Sequence, residues 1–313
     1  MLLFPALVGG GEHKLKGVDE VMEWTAIVMQ LFTGLSLGML YVLLALGLSI
    51  IFGLLTVVNF AHGAMYMWGA FAGVATMSIT GNFWLALVIS PLVIGGYGLM
   101  IEKGLIRPLY GRDINYPLLL TFGLQFIMIE IIRIFWGTSD HPFSAPPSLS
   151  MPLEIFGVFY FPSYRLFLIG ITVVICIALW IFLEKTNLGL VIRAGTRDPL
   201  MVRALGIDMR RIWWLVFGIG SALAGIAGIL AAPIRSVFPE MGIAMLVECF
   251  VVVVVGGMGS LKGAILSGII MGEASSITTL FYPQMADIVI FLVMAVVLLI
   301  RPSGLFGKAG LLE

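Results

Sequence analysis

The sequence predicts an all-α, polytopic integral membrane protein, and three observations carry that prediction. Sixty per cent of the 313 residues are apolar and only 11% are charged. A soluble domain is about a quarter charged, so this chain has too few polar residues to cover a globule. Apolar runs approaching the ~20 residues that a helix needs to cross a bilayer core recur along the sequence. Lysines and arginines, by contrast, gather in a few short connecting segments, the pattern that orients membrane proteins. Formal net charge is zero, with no basic stripe, so nucleic acid is not an expected partner. Membrane lipid is.

Taken in order, the first 25 residues, MLLFPALVGGGEHKLKGVDEVMEWT, stand apart. Their apolar part is too short for the core of a signal peptide and lacks a basic flank. Residues 1–25 therefore read as a flexible extension, with Met22 a credible alternative start. The transmembrane domain spans residues 26–302. Long runs lie at Ala26–Phe52, Val57–Ile79, Phe83–Ile101, Leu118–Trp136, Leu166–Leu183 and Ile212–Ile234. Three shorter ones follow at Ile243–Val255, Ala264–Leu280 and Ile288–Ile300. The last two fall below a full crossing and need tilt or burial in protein. The expectation is eight or nine transmembrane helices, some broken or re-entrant, in two weakly repeated halves.

Charge sets the sidedness. The loop 185–211 carries Lys185, Arg193, Arg197, Arg203, Arg210 and Arg211 against Asp198 and Asp208. Lys103, Arg107 and Arg112 follow the third run, and the tail 303–313 carries Lys308 just after Arg301. These regions are expected to face the cytoplasm. The loop 138–164 has neither Lys nor Arg and is expected outside; its LEIFGVFYF stretch, between Pro152 and Pro162, predicts a small hairpin on the membrane surface.

Within the basic loop, TRDPLMVRALGIDMRR contains helix signals: Asp198 as cap, Pro199 at the first helical position, and Gly206 as left-handed stop. A helix of about seven residues is too short to stand alone in water, so it must dock. It either packs back on its own bundle or serves as a peg inserted into a partner, and its apolar residues Leu200, Met201, Val202, Ala204 and Leu205 are more than a solvated loop would carry.

Two stretches interrupt apolar runs. In VVNFAHGAMYMWGAF, Asn59 and His62 precede Gly63; in VGGMGSLKGAILSGIIMG, Gly256, Gly257 and Gly259 precede Lys262. Non-helical backbone at membrane depth is tolerated only when buried in protein or lining a water-filled path. Paired interruptions in two halves point to a transport pathway, with packing through small residues as the alternative. His62 has no nucleophile or carboxylate at catalytic spacing. A hydrogen-bonding role fits better, with Asn59 as cap of the helix beginning near Gly63. Glu130 and Arg133, three residues apart, are expected to form a structural ion pair. Glu248 and Glu273 have no evident partner; they could line the pathway, bind a proton or pair across helices. Cys176 and Cys249 read as buried small side chains, no metal set is visible, and no phosphate-binding loop is present. No catalytic residue and no cofactor bound by this chain are expected. If transport uses ATP and Mg, partner subunits hold them.

At these residues the chain resembles a family. LFTGLSLGMLYVLLALGLSIIFGLLTVVNFAHGAMYMWGAF is similar to the start of branched-chain amino acid ABC transporter permeases, on the side of the shorter of their two permease subunits. VVVVVGGMGSLKGAILSGIIMG resembles their second signature, IRPSGLFGK their C-terminus, and the basic loop ending in ALGI also matches. The resemblance runs from Glu23 to Lys308. It implies an importer of the bacterial inner membrane, built with a second related permease, two ATP-binding subunits and a periplasmic substrate-binding protein. The short helix would then be the coupling helix, although only Ala204, Leu205 and Gly206 echo the usual Glu-Ala-Ala-Gly pattern, with Arg203 in place of an alanine. Relatives that carry urea, other amides or aromatic acids keep those substrates open, and an ion-coupled secondary transporter using Glu248 or Glu273 is the rival from another class.

Overall fold

The computed structural model describes residues 11–55, 57–155 and 159–307. Residues 1–10 of the extension, the centre of the expected hairpin and residues 308–313 of the tail, Lys308 included, lie outside the described residues.

Helix α1 runs from Gly11 to Leu55. The extension expected to be flexible is, from Gly11 onward, the first part of this helix. No proline stands between Gly11 and Leu55, and helix propagation from an established span costs far less than nucleation. From Trp24 to Leu55 α1 is the most enclosed span of the bundle, with 89% of its most apolar window buried. Helices α2 (Ala61–Thr80) and α3 (Phe83–Ile101) follow, joined by a two-residue link in which Gly81 adopts a left-handed backbone and Asn82 caps α3 through Trp84 and Leu85. A π-turn at Glu102–Ile106 and a 3-10 turn at Arg107–Leu109 lead to α4 (Asn115–Trp136).

The lysine- and arginine-free loop holds a hairpin. Strand β1 (Pro152–Ile155) pairs antiparallel with β2 (Phe159–Pro162), with Leu153 opposite Phe161 and Glu154 opposite Tyr160. Helix α5 (Ser163–Lys185) returns to the basic side, where α6 (Asn187–Arg197) and α7 (Pro199–Ala204) occupy what composition alone suggested was mostly loop. Thr186 starts α6 by accepting from the Gly189 amide at 3.0 Å. Helices α8 (Met209–Ala231), α9 (Met241–Gly256), α10 (Leu261–Phe281) and α11 (Ala286–Ile300) complete the bundle.

Among the described residues, seven helical segments are long and apolar enough to cross a membrane: α1, α3, α4, α5, α8, α10, and α11 together with the 3-10 turn Pro283–Met285 that leads into it. Helix α2 has 20 residues, including buried polar ones, and α9 has 16. The run expected to be short at Ala264–Leu280 is a full 21-residue helix. Ser260 accepts from the Gly263 amide at 3.1 Å, so the helix begins at Leu261 and carries Lys262 in its first turn. Apolar-run counting missed that turn because Lys262 and Gly263 break the run without breaking the helix.

The core is formed by α1 with α8 and α10, and by α8 with α2 and α3. Small residues permit this. A Cβ on Gly272 would meet the backbone of Gly38, and one on Gly69 would meet Gly225 at 2.6 Å, so the helices approach to backbone contact. The outer faces of α3, α4, α5 and α11 leave Leu92, Leu119, Ile134, Val174 and Leu299 exposed. In a bilayer these side chains meet lipid.

Candidate functional site

After Leu55 the chain turns back beside α1 before α2 begins. The His62 Nε2 lies 3.1 Å from the Leu44 carbonyl oxygen, a fully buried contact. Leu44 precedes the end of α1 by eleven residues, about 16 Å of helix. Helix α2 therefore starts well inside the apolar bundle. Thr121 of α4 satisfies the intervening backbone, accepting from the Phe60 amide at 3.2 Å and contacting the Val58 carbonyl at 3.3 Å.

Two expectations about this break are corrected. Phe60, not Asn59, occupies the cap position, and it makes no side-chain cap bond. Asn59 offers its main-chain carbonyl to the His62 amide at 3.2 Å, while its buried side-chain amide has no hydrogen bond among the described residues. Nor does His62 serve a freed helix end, since it reaches an interior carbonyl of α1. Both outcomes depend on which distant element lies alongside, and local propensity carries no information about that. Because Leu44 O belongs to a helix interior, His62→Leu should lower stability by only about 1 kcal/mol. Thermal unfolding of the solubilised protein measures this, and a loss above about 3 kcal/mol would refute the assignment.

The counterpart of this break lies elsewhere than the glycine-rich stretch suggested. Between α8 and α9, residues 232–240 form a non-helical return. Helix α9 spans ~24 Å of the ~30 Å apolar core, so its first residue sits below the membrane surface. The return is fastened at two points. His141 and Val237 exchange backbone hydrogen bonds at 2.8 and 3.3 Å, and Arg133 bonds Glu240 through Nε at 3.1 Å and through Nη2. Arg133 also pairs with Glu130, so the expected pair is one half of a bridge from α4 to the start of α9. The starts of α2 and α9 cross at Gly63 and Gly242, whose backbones touch.

Arg235 projects from this return, and its role was invisible in the sequence. Its Nη2 lies 4.0 Å from Glu248 Oε2, and its Nη1 lies 3.3 Å from Met245 Sδ. The Tyr41 hydroxyl interacts with both charges. The Tyr66 hydroxyl is buried, has no hydrogen bond among the described residues and lies within electrostatic reach of the same two. Glu248 thus gains a cation partner. Glu273 does not: it packs against Gly34 and its buried Oε2 has no hydrogen bond among the described residues. Gly34 and Tyr41 are seven residues apart on α1, about 10 Å, so the two glutamates occupy different places.

Gly256, Gly257 and Gly259 are not at this depth. They form the tight turn from α9 to α10, with φ of 98° at Gly257 and 79° at Gly259. That turn abuts Gly53 near the end of α1 and shares a crevice with Arg193 and Arg197 of α6, at the basic end of the bundle. The chain after α11 docks on it, with the Leu305 amide donating to Val255 O at 2.8 Å and the Phe306 amide to Gly256 O at 3.0 Å. Glycine is needed here to admit that second strand of backbone, so the expected place beside a pathway at membrane depth is withdrawn for these three residues.

At the basic end, α7 is closed at both termini. Asp198 accepts from the Leu200 and Met201 amides at 3.0 and 2.9 Å, with Pro199 in the first turn. Gly206, at φ 82°, ends the helix as its amide donates to Arg203 O and the Ile207 amide to Val202 O. Val202 points inward, whereas Leu200, Met201 and Leu205 are 60–73% exposed. Arg203 stacks over Trp213 at 4.8 Å, and Trp213 meets Tyr110 edge-on at 4.6 Å. Tyr110 donates to the fully buried Glu102 at 2.8 Å, beside Arg107 at 2.8 and 3.3 Å. Burial and the Glu102 carboxylate raise the Tyr110 phenol well above its usual range, which keeps it a donor. This chain of contacts ties α7 to α8 and α3. Glu102 was the residue missed here; the signal available was an acid standing alone at the end of an apolar run.

Cys176 and Cys249 are both free, and no group of His, Cys, Asp or Glu among the described residues is placed to hold a metal.

Comparison with known proteins places this geometry. Residues 30–298 match the family model described as "Branched-chain amino acid transport system / permease component". The chain is 30% identical over 299 residues to the high-affinity branched-chain amino acid transport system permease protein BraD of Pseudomonas aeruginosa, covering 90% of this chain and 96% of that one. It is 29% identical over 302 residues to the permease protein LivH of Escherichia coli, covering 91% and 97%. Similarity extends to the same organism's LivM at 27% identity, covering 86% of this chain and 68% of that one. The chain therefore belongs to the permease-component family of branched-chain amino acid transport systems.

Proposed function

We propose that this protein is a membrane-spanning subunit of an ATP-driven importer that carries branched-chain or other hydrophobic amino acids across the bacterial inner membrane. The observation that carries the reading is α7, a six-residue helix capped at both ends that turns three large apolar side chains away from its own bundle. A solvated surface gains nothing from such a helix, and a groove on an ATP-binding subunit does. The relatives support a complex of two related permeases, because the chain resembles both the LivH and the LivM type. Two ATP-binding subunits, which hold ATP and Mg, and a periplasmic binding protein complete it.

In this mechanism the permease makes and breaks no bonds. Closure of the ATP-binding subunits pushes α7, and the Arg203–Trp213–Tyr110–Glu102 contacts carry that push to α8 and α3. The pathway lies beside the crossing of α2 and α9, where both helices begin inside the bundle. Asn59, His62 and Gly63 back its wall from within the bundle on the α2 side, Glu248 borders it on the α9 side, and Glu273 of α10 stands beside Gly34, farther along α1.

Reconstitution tests the reading. Proteoliposomes holding both permeases and the ATP-binding subunits should accumulate radiolabelled leucine only with the binding protein and ATP present. Ion-gradient-driven uptake by this chain alone would overturn it in favour of a secondary transporter.

A further inference from the structure

We infer that Arg235 and Glu248 form a clamp for the zwitterionic head group of the amino acid in passage, Arg235 taking the α-carboxylate and Glu248 the α-ammonium. The inference rests on the reading of the protein as an amino-acid permease and adds how the cargo is recognised inside the membrane.

The pair is held open where two other partly buried pairs close. Arg107 bonds Glu102 with two nitrogens at 2.8 and 3.3 Å, and Arg133 bonds Glu240 in the same two-pronged way. Arg235 and Glu248 stand 4.0 Å apart, beyond hydrogen-bond range. One guanidinium nitrogen rests on the Met245 thioether, a weak acceptor, and Glu248 Oε2 has no hydrogen bond among the described residues. The Tyr41 hydroxyl is shared between the two charges, and a pair otherwise left unbonded at membrane depth is costly; such residues face water-filled space or a partner, not lipid. The two side chains retain 34% and 19% of their exposure, so they border space that this chain does not fill.

The separation is imposed by the fold. The Arg235 backbone lies in the return that His141 and Arg133 fasten, and Glu248 is fixed on α9. Between them the structure gathers one cation, one anion and the hydroxyls of Tyr41 and Tyr66, the second without a hydrogen bond among the described residues. A carboxylate suits the planar guanidinium fork and an ammonium suits the glutamate. Guest and site are each neutral overall, so entry adds no net charge to a medium of low dielectric. A 2-oxo acid or a simple amine would leave one of the two charges unmet, and an uncharged amide would leave both.

The complete importer in proteoliposomes tests the clamp, with ATP-driven leucine uptake as readout and copurification of the ATP-binding subunits as the control for assembly. Glu248→Gln and Arg235→Gln should each lower uptake roughly tenfold or more. The double variant Arg235→Met with Glu248→Leu should transport no better than the weaker single variant. A merely structural pair makes the opposite demand, because removing both charges of a buried pair is neutral or stabilising whereas removing one is not. Wild-type uptake by the double variant would overturn the clamp. If that variant fails to assemble, Arg235→Lys and Glu248→Asp decide: they keep both charges, and each should still lose several-fold in uptake, whereas wild-type rates in both would overturn the clamp. An assembled wild-type complex that imports no leucine would instead remove the underlying permease reading, an outcome distinct from every result on the variants.

Discussion

Replacing Leu200 and Leu205 by aspartate abolishes ATP-driven uptake while the protein remains folded in the membrane; this is the largest functional effect expected of any exposed substitution here. Both residues are 73% exposed, so the chain itself loses almost nothing when they change. On the proposed reading they enter a groove on the ATP-binding subunit, where an unpaired buried carboxylate costs about 3 kcal/mol, roughly a hundredfold in affinity. The two substitutions together should leave too little complex to detect. Copurification of the ATP-binding subunit and uptake in proteoliposomes should fall in parallel, whereas thermal unfolding of the isolated chain should not move. Normal copurification would mean that α7 is not the docking element, and the coupling route through Arg203 and Trp213 would fall with it.

The largest effect on stability is expected at Gly63. Its position is filled by the Gly242 backbone and, at 2.6 Å, by Leu246 Cβ, so no rotamer change can clear room for a side chain. Gly63→Leu must push α2 and α9 apart, at a cost of about 3 kcal/mol or more. Gly96→Leu makes the same chemical change on α3, where a Cβ would meet nothing within 4 Å, and should be close to neutral. Comparing folded yield and melting temperature of the two variants separates backbone contact from any general intolerance of leucine. Equal behaviour would contradict the crossing of the two helix starts.

Much of the fold was legible because its causes are local. The spans follow from runs of apolar residues, and α7 follows from Asp198, Pro199 and Gly206, each of which acts within a few residues of itself. The hairpin was likewise marked by its flanking prolines, Pro152 and Pro162. The boundary errors have a common origin. Lys262 and Gly263 lower the hydropathy of a run yet sit comfortably in the first turn of α10, and nothing in the composition of residues 11–25 shows that a helix already under way will extend through them.

The candidate site was half legible. Asn59 and His62 advertised a break because polar residues at membrane depth demand a reason, yet the groups that answer it, Leu44 for His62 and Thr121 for the neighbouring Val58 and Phe60 backbone, lie on other elements. The glycine-rich stretch drew attention for the right chemical reason, close backbone approach, and the wrong neighbour: it receives the C-terminal segment at the basic end. The return that does face the first break carries only Arg235 and Glu240 as charged residues and has no glycine signature.

By itself, the sequence determined the membrane class, most of the apolar helices, the gathering of basic residues in a few short segments and the capped short helix, since each depends on composition or on interactions a few residues apart. Only the tertiary structure decided which breaks face one another, that Arg133 holds the start of α9, and that Arg235 stands opposite Glu248. Those pairings join residues up to about 180 positions apart, as Gly63 and Gly242 are, and chain contacts at that range are set by how whole helices pack, through the small residues that let their backbones meet.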